Sequence, residues 1–328
     1  MNQADNIAIA GLLPRSRAGK RLSLVVPMHN EAEVLGVFFQ RIGEATKDLG
    51  VEVEIICVDD GSRDATLQGL IDRAGADPAV KVIALARNFG KEAAMTAGIE
   101  AAGGDMVVPI DADLQDPPEL IAEFIRLWET GYDVVYGSRA DRSSDTAMKR
   151  TSAHLFYRVF NRVSDLDIPE SAGDFRLMDR AVVEALKRLP ERNRFMKGLF
   201  AWVGFRQIGV PYVRPERAAG TTTMGYWRLW RFALDGITSF STAPLRVWTG
   251  IGFAAAVLAL IFAGGLIVRV LIVGREVPGY ASMMVVLLLS FALQMIAIGV
   301  LGEYVGRLYQ EVKGRPIYLV RARIGFDP

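Results

Sequence analysis

Between residues 22 and 137, short apolar runs rich in β-branched residues alternate with longer amphipathic segments. The strand candidates are LSLVVPM, VEVEIICVDD, KVIALA, DMVVPID and YDVVYGS. Segments such as EAEVLGVFFQRIGEATKDLG lie between them, with apolar residues at three- and four-residue spacing, which is typical of helices. This alternation predicts an α/β domain with a mostly parallel sheet covered by helices on both faces.

A polar cluster follows each of these predicted strands. In chain order the clusters are PMHNE, DDGSRD, RNFGK, DADLQDPPE and GSR. Parallel sheets of this kind bind ligands at the carboxyl ends of their strands. We therefore expect the five clusters to meet at one edge of the sheet and to form a single site.

The pattern after the fifth strand is less regular. Residues 138–213 contain a helix-like MKRTSAHLFYRVFNRV, a strand-like GDFRLMD and a helix-like RAVVEALKRL. We place the end of the α/β domain (21–215) here. In the following segment, 216–244, Trp227, Trp230, Leu234 and Ile237 share one helical face, opposite Arg228, Arg231 and Asp235. This predicts an amphipathic helix lying in a membrane interface, with an ordinary surface helix as the alternative.

Two long runs near the carboxyl end carry no charge. One has 22 residues between Arg246 and Arg269, and the other has 26 between Glu276 and Glu303. Because roughly 20 apolar residues cross the hydrocarbon core of a bilayer, we predict transmembrane helices over 245–272 and 278–302.

The flanks of these runs predict their orientation. Basic residues precede the first run and follow the second, namely Arg228, Arg231, Arg246, Arg307, Lys313, Arg315, Arg321 and Arg323. The loop between the runs offers little positive charge, so the positive-inside rule predicts a multi-pass protein with its α/β domain and both termini in the cytoplasm. We expect residues 1–20 to form a mobile N-terminal tail and 303–328 a cytoplasmic C-terminal tail.

Composition excludes several classes of function. The net charge of +1 gives no field that would attract nucleic acid. The single cysteine, Cys57, allows no disulfide framework, and it reads as a small buried hydrophobe in a strand. His29 and His154 have no neighbours at zinc-ligand spacing.

The cluster DADLQDPPE predicts a cation site. In an extended chain Asp111 and Asp113 point to the same side, where their repulsion is costly unless a cation lies between them. Hard oxygen ligands suit Mg²⁺ or Mn²⁺, and Gln115 adds an amide oxygen if the extended path continues.

In DDGSRDAT, Asp64 and Thr66 are interpreted as helix-capping residues. Asp59 and Asp60 in the same segment exceed what a helix cap needs. A carboxylate there can accept hydrogen bonds from a base N–H or from ribose hydroxyls.

Together these motifs resemble a known family. VVPMHNE, VDDGSRDAT, RNFGKEAA, PIDADLQDPPE, VVYGSR, GDFRLMDR, RFMKGLFAWVGF, LDGITSFSTAPLR and GEYVGRLYQEVKGRPIY occur in order over about residues 22–320. With two spans, this looks like a membrane-anchored polyisoprenyl-phosphate glycosyltransferase: an inverting, GT-A (Rossmann-like), family 2 enzyme. The group includes bactoprenol glucosyltransferases, which the chain resembles most, and dolichol-phosphate mannosyltransferases.

The resemblance implies roles for individual residues. The nucleotide sugar would be bound by Pro27, Glu31, Asp59, Asp60, Lys91, Asp111 and Ala112, and the divalent metal by Asp111, Asp113 and Gln115. Catalysis would involve Asp174, Asp113 and Arg176, and the lipid phosphate would lie near Arg139, Arg150 and Arg217. We expect Asp174 mainly to orient Arg176 or a sugar hydroxyl, with a structural Asp–Arg pair as the alternative. His29 departs from the usual Tyr and Thr223 from the usual Lys, and Arg217 could substitute for that lysine.

The implied reaction is transfer of a hexose, glucose by first choice, from a nucleoside diphosphate sugar such as UDP-glucose to undecaprenyl or another polyprenyl phosphate. The product would be a lipid-linked sugar for cell-envelope glycans, made at the bacterial inner membrane by a homo-oligomer. Mannose, N-acetylglucosamine or aminoarabinose remain alternatives for the sugar. A processive polysaccharide synthase and a non-catalytic nucleotide-binding membrane scaffold are the rival interpretations.

Overall fold

In the computed structural model of the chain, the described residues are 14–139, 172–192, 194–213, 243–273 and 279–326. They form one eight-stranded sheet, and the strands run as follows: β1 Arg21–Met28, β2 Glu52–Asp59, β3 Val80–Leu85, β4 Met106–Pro109, β5 Val134–Arg139, β6 Ala172–Asp179, β7 Gln207–Tyr212 and β8 Val320–Ile324. The helices are α1 Leu35–Thr46, α2 Thr66–Ala76, α3 Lys91–Ala101, α4 Leu120–Glu129, α5 Arg180–Lys187, α6 Met196–Trp202, α7 Ala243–Val273 and α8 Tyr280–Val312.

The sheet has an apolar cluster on each face. Along β1, Leu24 and Val26 belong to one cluster and Val25 to the other, and all three side chains are fully buried. This follows from the two-residue period of a strand. The predicted two-faced α/β sheet is confirmed.

The strand order is β7-β5-β6-β4-β1-β2-β3-β8. Strands β4, β1, β2 and β3 are parallel neighbours, and β5 and β7 run in the same direction, whereas β6 and β8 are antiparallel to their partners. Because β6 runs the opposite way, its first residue, Ala172, pairs with Ser138 near the carboxyl end of β5. The beginning of β6 therefore lies at the same edge as the carboxyl ends of the parallel strands.

The segment after α8 returns to this sheet. Strand β8 pairs with β3, and the amide of Ala86 donates to the carbonyl of Leu319 over 2.8 Å. Upstream, Glu311 accepts a 3.0 Å hydrogen bond from the amide of Arg192. The prediction of a separate tail over 303–328 needs correcting, because residues 320–324 form an edge strand of the domain.

Part of the expected N-terminal tail also contacts the domain. Arg15 makes a 2.5 Å ion pair with Asp133, and Arg17 one of 2.6 Å with Glu129. Residues 14–20 are thus held against α4 and the start of β5, so a mobile tail over 1–20 is wrong for this part.

The two predicted spans are long helices, α7 and α8. Their candidate membrane-crossing segments are Val247–Arg269 and Ser282–Val312, and neither is buried against the rest of the protein. Bare apolar surface of this extent is what a membrane-embedded helix presents. The interfacial helix was predicted within 216–244, of which 216–242 lie outside the described residues and 243–244 begin α7. The helix-like MKRTSAHLFYRVFNRV also lies outside the described residues.

Candidate active site

A cleft of about 540 Å³ opens where β1, β2 and β3 end. Its walls include His29, Asn30, Asp59, Arg87 and Arg321. The first three predicted polar clusters therefore meet at one edge of the sheet, as their position after parallel strands implies.

The loop after β2 packs against the loop after β3 through Asp60 and Gly61. Gly61 has φ +66°, and a Cβ there would lie 2.5 Å from the backbone carbon of Arg87, so only glycine fits. The Asp60 carboxylate accepts hydrogen bonds from the amides of Phe89 (2.7 Å) and Gly90 (2.9 Å), while burial raises the pKa of Asp60. Asp60 thus holds the loop that leads into α3, a structural contact that the motif alone does not reveal.

The residues after β1 form a hydrogen-bonded corner. His29 Nδ1 lies 2.9 Å from the carbonyl oxygen of Asp60, and Asn30 Nδ2 lies 3.2 Å from His29 Nε2. Because a carbonyl only accepts, Nδ1 carries the proton and Nε2 accepts from Asn30. The imidazole is therefore fixed in one tautomer beside the cleft.

Two further residues of the predicted nucleotide site lie close to this corner. Pro27 pairs with Val58 in the sheet, and the Glu31 amide donates to the Thr66 hydroxyl over 2.8 Å. Asp64 accepts hydrogen bonds from the amide and hydroxyl of Thr66 and from the amide of Ala32. Its predicted capping role fits these contacts, although α2 itself begins one residue later than a cap at Asp64 would place it.

The segment from Asp111 to Gln115, predicted to bind the metal and called the metal motif below, forms a turn. Strand β4 ends at Pro109, and the buried Leu114 has φ 57°, a left-handed conformation that departs from an extended path. Asp113 Oδ1 accepts a hydrogen bond of 3.1 Å from the amide of Gln115. The extended path from Asp111 to Gln115 assumed from the sequence is therefore wrong.

The oxygen ligands of this turn still suit a small divalent cation. Among the described residues, no three carboxylate, histidine or cysteine side chains form a ready-made cage. Two carboxylates and an amide at the end of β4 fit Mg²⁺ or Mn²⁺, which usually keep several waters and complete their shell with substrate phosphates. Moreover, a cation already lies against Asp111, since the Lys91 ammonium is 2.7 Å from its Oδ1.

Lys91 connects this turn with β6. It is the first residue of α3, and its Nζ is also 2.9 Å from Asp174 Oδ2. Burial alone would lower the pKa of Lys91, but the charges of Asp174 and Asp111 raise it well above its ordinary value. A permanent positive charge is therefore placed between the metal motif and the predicted reacting centre.

Asp174 reaches this cluster from the beginning of β6 through its ion pair with Lys91. The expected contact between Asp174 and Arg176 is not made in the described part of the chain, where Asp174 Oδ1 has no hydrogen-bond partner. Burial alone would raise the pKa of Asp174, but Lys91, Lys197 and Arg176 hold it well below its ordinary range. Arg176 is itself buried and donates to the carbonyl of Gly173, and its guanidinium lies 4.0 Å from the Phe200 ring. Burial lowers the pKa of Arg176 to about 10, so it remains charged near neutral pH.

Sequence reasoning missed Glu92. Its Oε2 is buried without a hydrogen-bond partner in the described part of the chain. Burial, together with the charge of Asp174, raises the pKa of Glu92 to about 8. Only its adjacency to Lys91 in RNFGKEAA could have drawn attention to it, because burial cannot be read from that motif.

The remaining predicted site residues divide into two groups. Ala112 is buried in the turn next to Asp111, and the backbone of Arg139 ends β5 opposite Tyr212. Arg150 and Arg217 lie outside the described residues.

Comparisons with known proteins agree with this architecture. A family model described as "Glycosyl transferase family 2" matches residues 23–187. An uncharacterized glycosyltransferase of Synechocystis sp. is 53% identical over 93% of this chain and 96% of its own length. The SfII prophage-derived bactoprenol glucosyl transferase of Shigella flexneri is 48% identical over 92% of this chain and 97% of its own.

Among solved structures, the mannosyltransferase PcManGT from Pyrobaculum calidifontis, in complex with GDP-Man and Mn²⁺, has 18% sequence identity and a TM-score of 0.46. The match covers 90% of this chain and 89% of that one.

Proposed function

This chain belongs to the family 2 glycosyltransferases, and we propose that it transfers a glucosyl group from UDP-glucose to a polyprenyl phosphate at a membrane surface. One observation carries the proposal. The cluster of Lys91, Asp111 and Asp174 lies on a sheet whose last strand follows directly from a bare apolar helix pair. The relatives that carry the name bactoprenol glucosyl transferase support glucose as the sugar and an isoprenoid as the acceptor.

The donor diphosphate belongs at the end of β4. Asp111, Asp113 and Gln115 would hold a divalent cation there, and such a cation stabilises the negative charge of a departing diphosphate. Lys91 adds a positive charge within 3 Å of the Asp111 carboxylate. In this arrangement Lys91 neutralises Asp111 and Asp174 before the donor binds and adds to the positive field around the leaving group afterwards.

The acceptor needs little proton abstraction. The second pKa of a phosphate monoester is about 6, so the attacking group is mostly dianionic at neutral pH. Asp174 stays ionised and pairs with Lys91 rather than with Arg176, which supports an orienting role towards a sugar hydroxyl. Arginines match the geometry of phosphate, and we assign the lipid phosphate to the region of Arg139, Arg150 and Arg217.

The helix pair requires both of its ends to be on one side of the membrane. Helix α7 follows the residues of the sheet and α8 leads back to β8, so the domain and the returning strand share a compartment if both helices span. The basic flanks support the cytoplasm as this compartment, by the positive-inside rule. A homo-oligomer remains a prediction.

The test is product analysis. Membranes containing the full chain are incubated with undecaprenyl phosphate, Mg²⁺ and UDP-glucose, UDP-N-acetylglucosamine or GDP-mannose in parallel, and the lipid fraction is analysed by mass spectrometry. We expect a hexosyl phosphate lipid with UDP-glucose, absent with Asp111→Asn and retained with the surface control Glu119→Gln. A lipid product with only another donor would overturn the choice of sugar, and no lipid product with any donor would overturn the function.

A further inference from the structure

Strand β8 contains an irregularity at Arg321. Ala84 of β3 pairs with Ala322, whereas the next residue, Leu85, pairs with Val320. One step along β3 therefore corresponds to two along β8, and Arg321 is the extra residue of a β-bulge. Bulges re-aim a side chain and occur often beside active sites.

The bulge lies beside the cleft. Arg321 is one of its lining residues, whereas Arg323, two positions further along the strand, pairs with Ile83 away from it. No ion pair to the exposed Arg321 guanidinium is present among the residues that the structure describes. By contrast, the neighbouring Arg87 guanidinium already has partners within the protein. It lies 4.1 Å from the centre of the Phe89 ring and donates a hydrogen bond to the carbonyl oxygen of Asn88.

The sheet separates Arg321 from the metal motif. From β4 to β8 there are four steps in the strand order, and at about 4.8 Å a step this is ~19 Å. A diphosphate held near Asp111 is therefore out of reach of Arg321. The part of a nucleotide that extends from there past β1 and β2 into the cleft is the nucleoside.

We propose that Arg321 binds the nucleoside end of the donor, which makes the strand after the second apolar helix part of the nucleotide site. This rests on the proposed function. A guanidinium can stack on a base or donate to its carbonyl groups and to ribose hydroxyls, and Asp59 in the same cleft supplies an acceptor for a base N–H. The donor site is then complete only when the chain has passed through both apolar helices and β8 has docked on β3.

The experiment measures binding to the full chain in detergent. Isothermal titration calorimetry with UDP and with inorganic pyrophosphate, both in Mg²⁺, is carried out on the wild type, Arg321→Ala and the matched control Arg323→Ala. We expect UDP affinity to fall about tenfold in Arg321→Ala, as for the loss of one charge-assisted hydrogen bond, with pyrophosphate affinity unchanged. Arg323→Ala should bind both ligands as the wild type does.

Three results would overturn the inference. They are unchanged UDP affinity in Arg321→Ala, an equal loss of pyrophosphate affinity in that variant, and an equal loss of UDP affinity in Arg323→Ala. Each of these leaves the proposed function standing if wild-type membranes still form the glucosyl lipid. A wild-type chain that binds no UDP and forms no glucosyl lipid would overturn both.

Discussion

The Lys91 ammonium lies 2.9 Å from the Asp174 carboxylate, so the first residue of α3 neutralises a charge at the beginning of an antiparallel strand. The same nitrogen is 2.7 Å from Asp111. One lysine thus joins the proposed metal-binding turn to the proposed reacting centre.

Replacing this lysine should damage catalysis more than folding. In Lys91→Met two neighbouring carboxylates lose their shared cation, and a positive charge near the leaving diphosphate disappears. We expect kcat to fall about 100-fold, as for removal of one preorganised electrostatic contact. Lys81→Met is the matched control, because Lys81 pairs with Glu54 at 2.7 Å outside the cluster. Steady-state transfer assays that gave both variants the same kcat would contradict this role.

The pH–rate profile of Asp174→Asn distinguishes orientation from proton abstraction. If Asp174 orients, kcat falls by about 100-fold but the acidic limb stays near pH 6, because that limb reports the acceptor phosphate. The measurement is kcat between pH 5 and 9 with a short-chain polyprenyl phosphate. Disappearance of the acidic limb in the variant would restore the general-base role.

Metal removal tests the turn at the end of β4. We expect excess EDTA to abolish transfer and Mg²⁺ or Mn²⁺ to restore it, since the leaving diphosphate otherwise carries its charge unscreened. Asp113→Asn should weaken the binding of Mn²⁺ in the presence of UDP, which electron paramagnetic resonance measures directly. Asp116→Asn is the control from the same motif, because buried Asp116 accepts a 2.7 Å hydrogen bond from Tyr212. It should lower thermal stability without changing Mn²⁺ affinity, and turnover that survives EDTA would exclude the metal.

The strand pattern predicted the sheet and the edge at which its polar clusters meet, because period-two burial and βα alternation are local signals. It could not predict that β6 would be antiparallel, which brings Asp174 to that edge, or that β8 would return from the second apolar helix. Both depend on contacts between segments far apart in the chain. Asp111 and Asp113 were predicted to lie on an extended path, and the left-handed conformation of Leu114 that ends this path has no signature in DADLQD.

The buried Glu92 predicts a pH-dependent stability. Its pKa is raised from 4.5 to about 8, with burial as the main cause and Asp174 adding to it against Lys91 and Lys197. Below pH 4.5 both folded and unfolded chains are protonated at this position. Between these two pKa values the unfolded chain releases a proton that the folded chain keeps, so stability falls as the pH rises and levels off above about 8.

Glu92→Gln removes this decline, because an amide does not titrate. The melting temperatures of Glu92→Gln and of the wild type are followed by tryptophan fluorescence of the full chain in detergent. We expect the difference between them, variant minus wild type, to be about 5 °C larger at pH 8 than at pH 5. The exposed control Glu44→Gln should track the wild type across the range. Parallel melting curves for wild type and Glu92→Gln at every pH would show that Glu92 ionises in the folded protein as freely as in the unfolded chain.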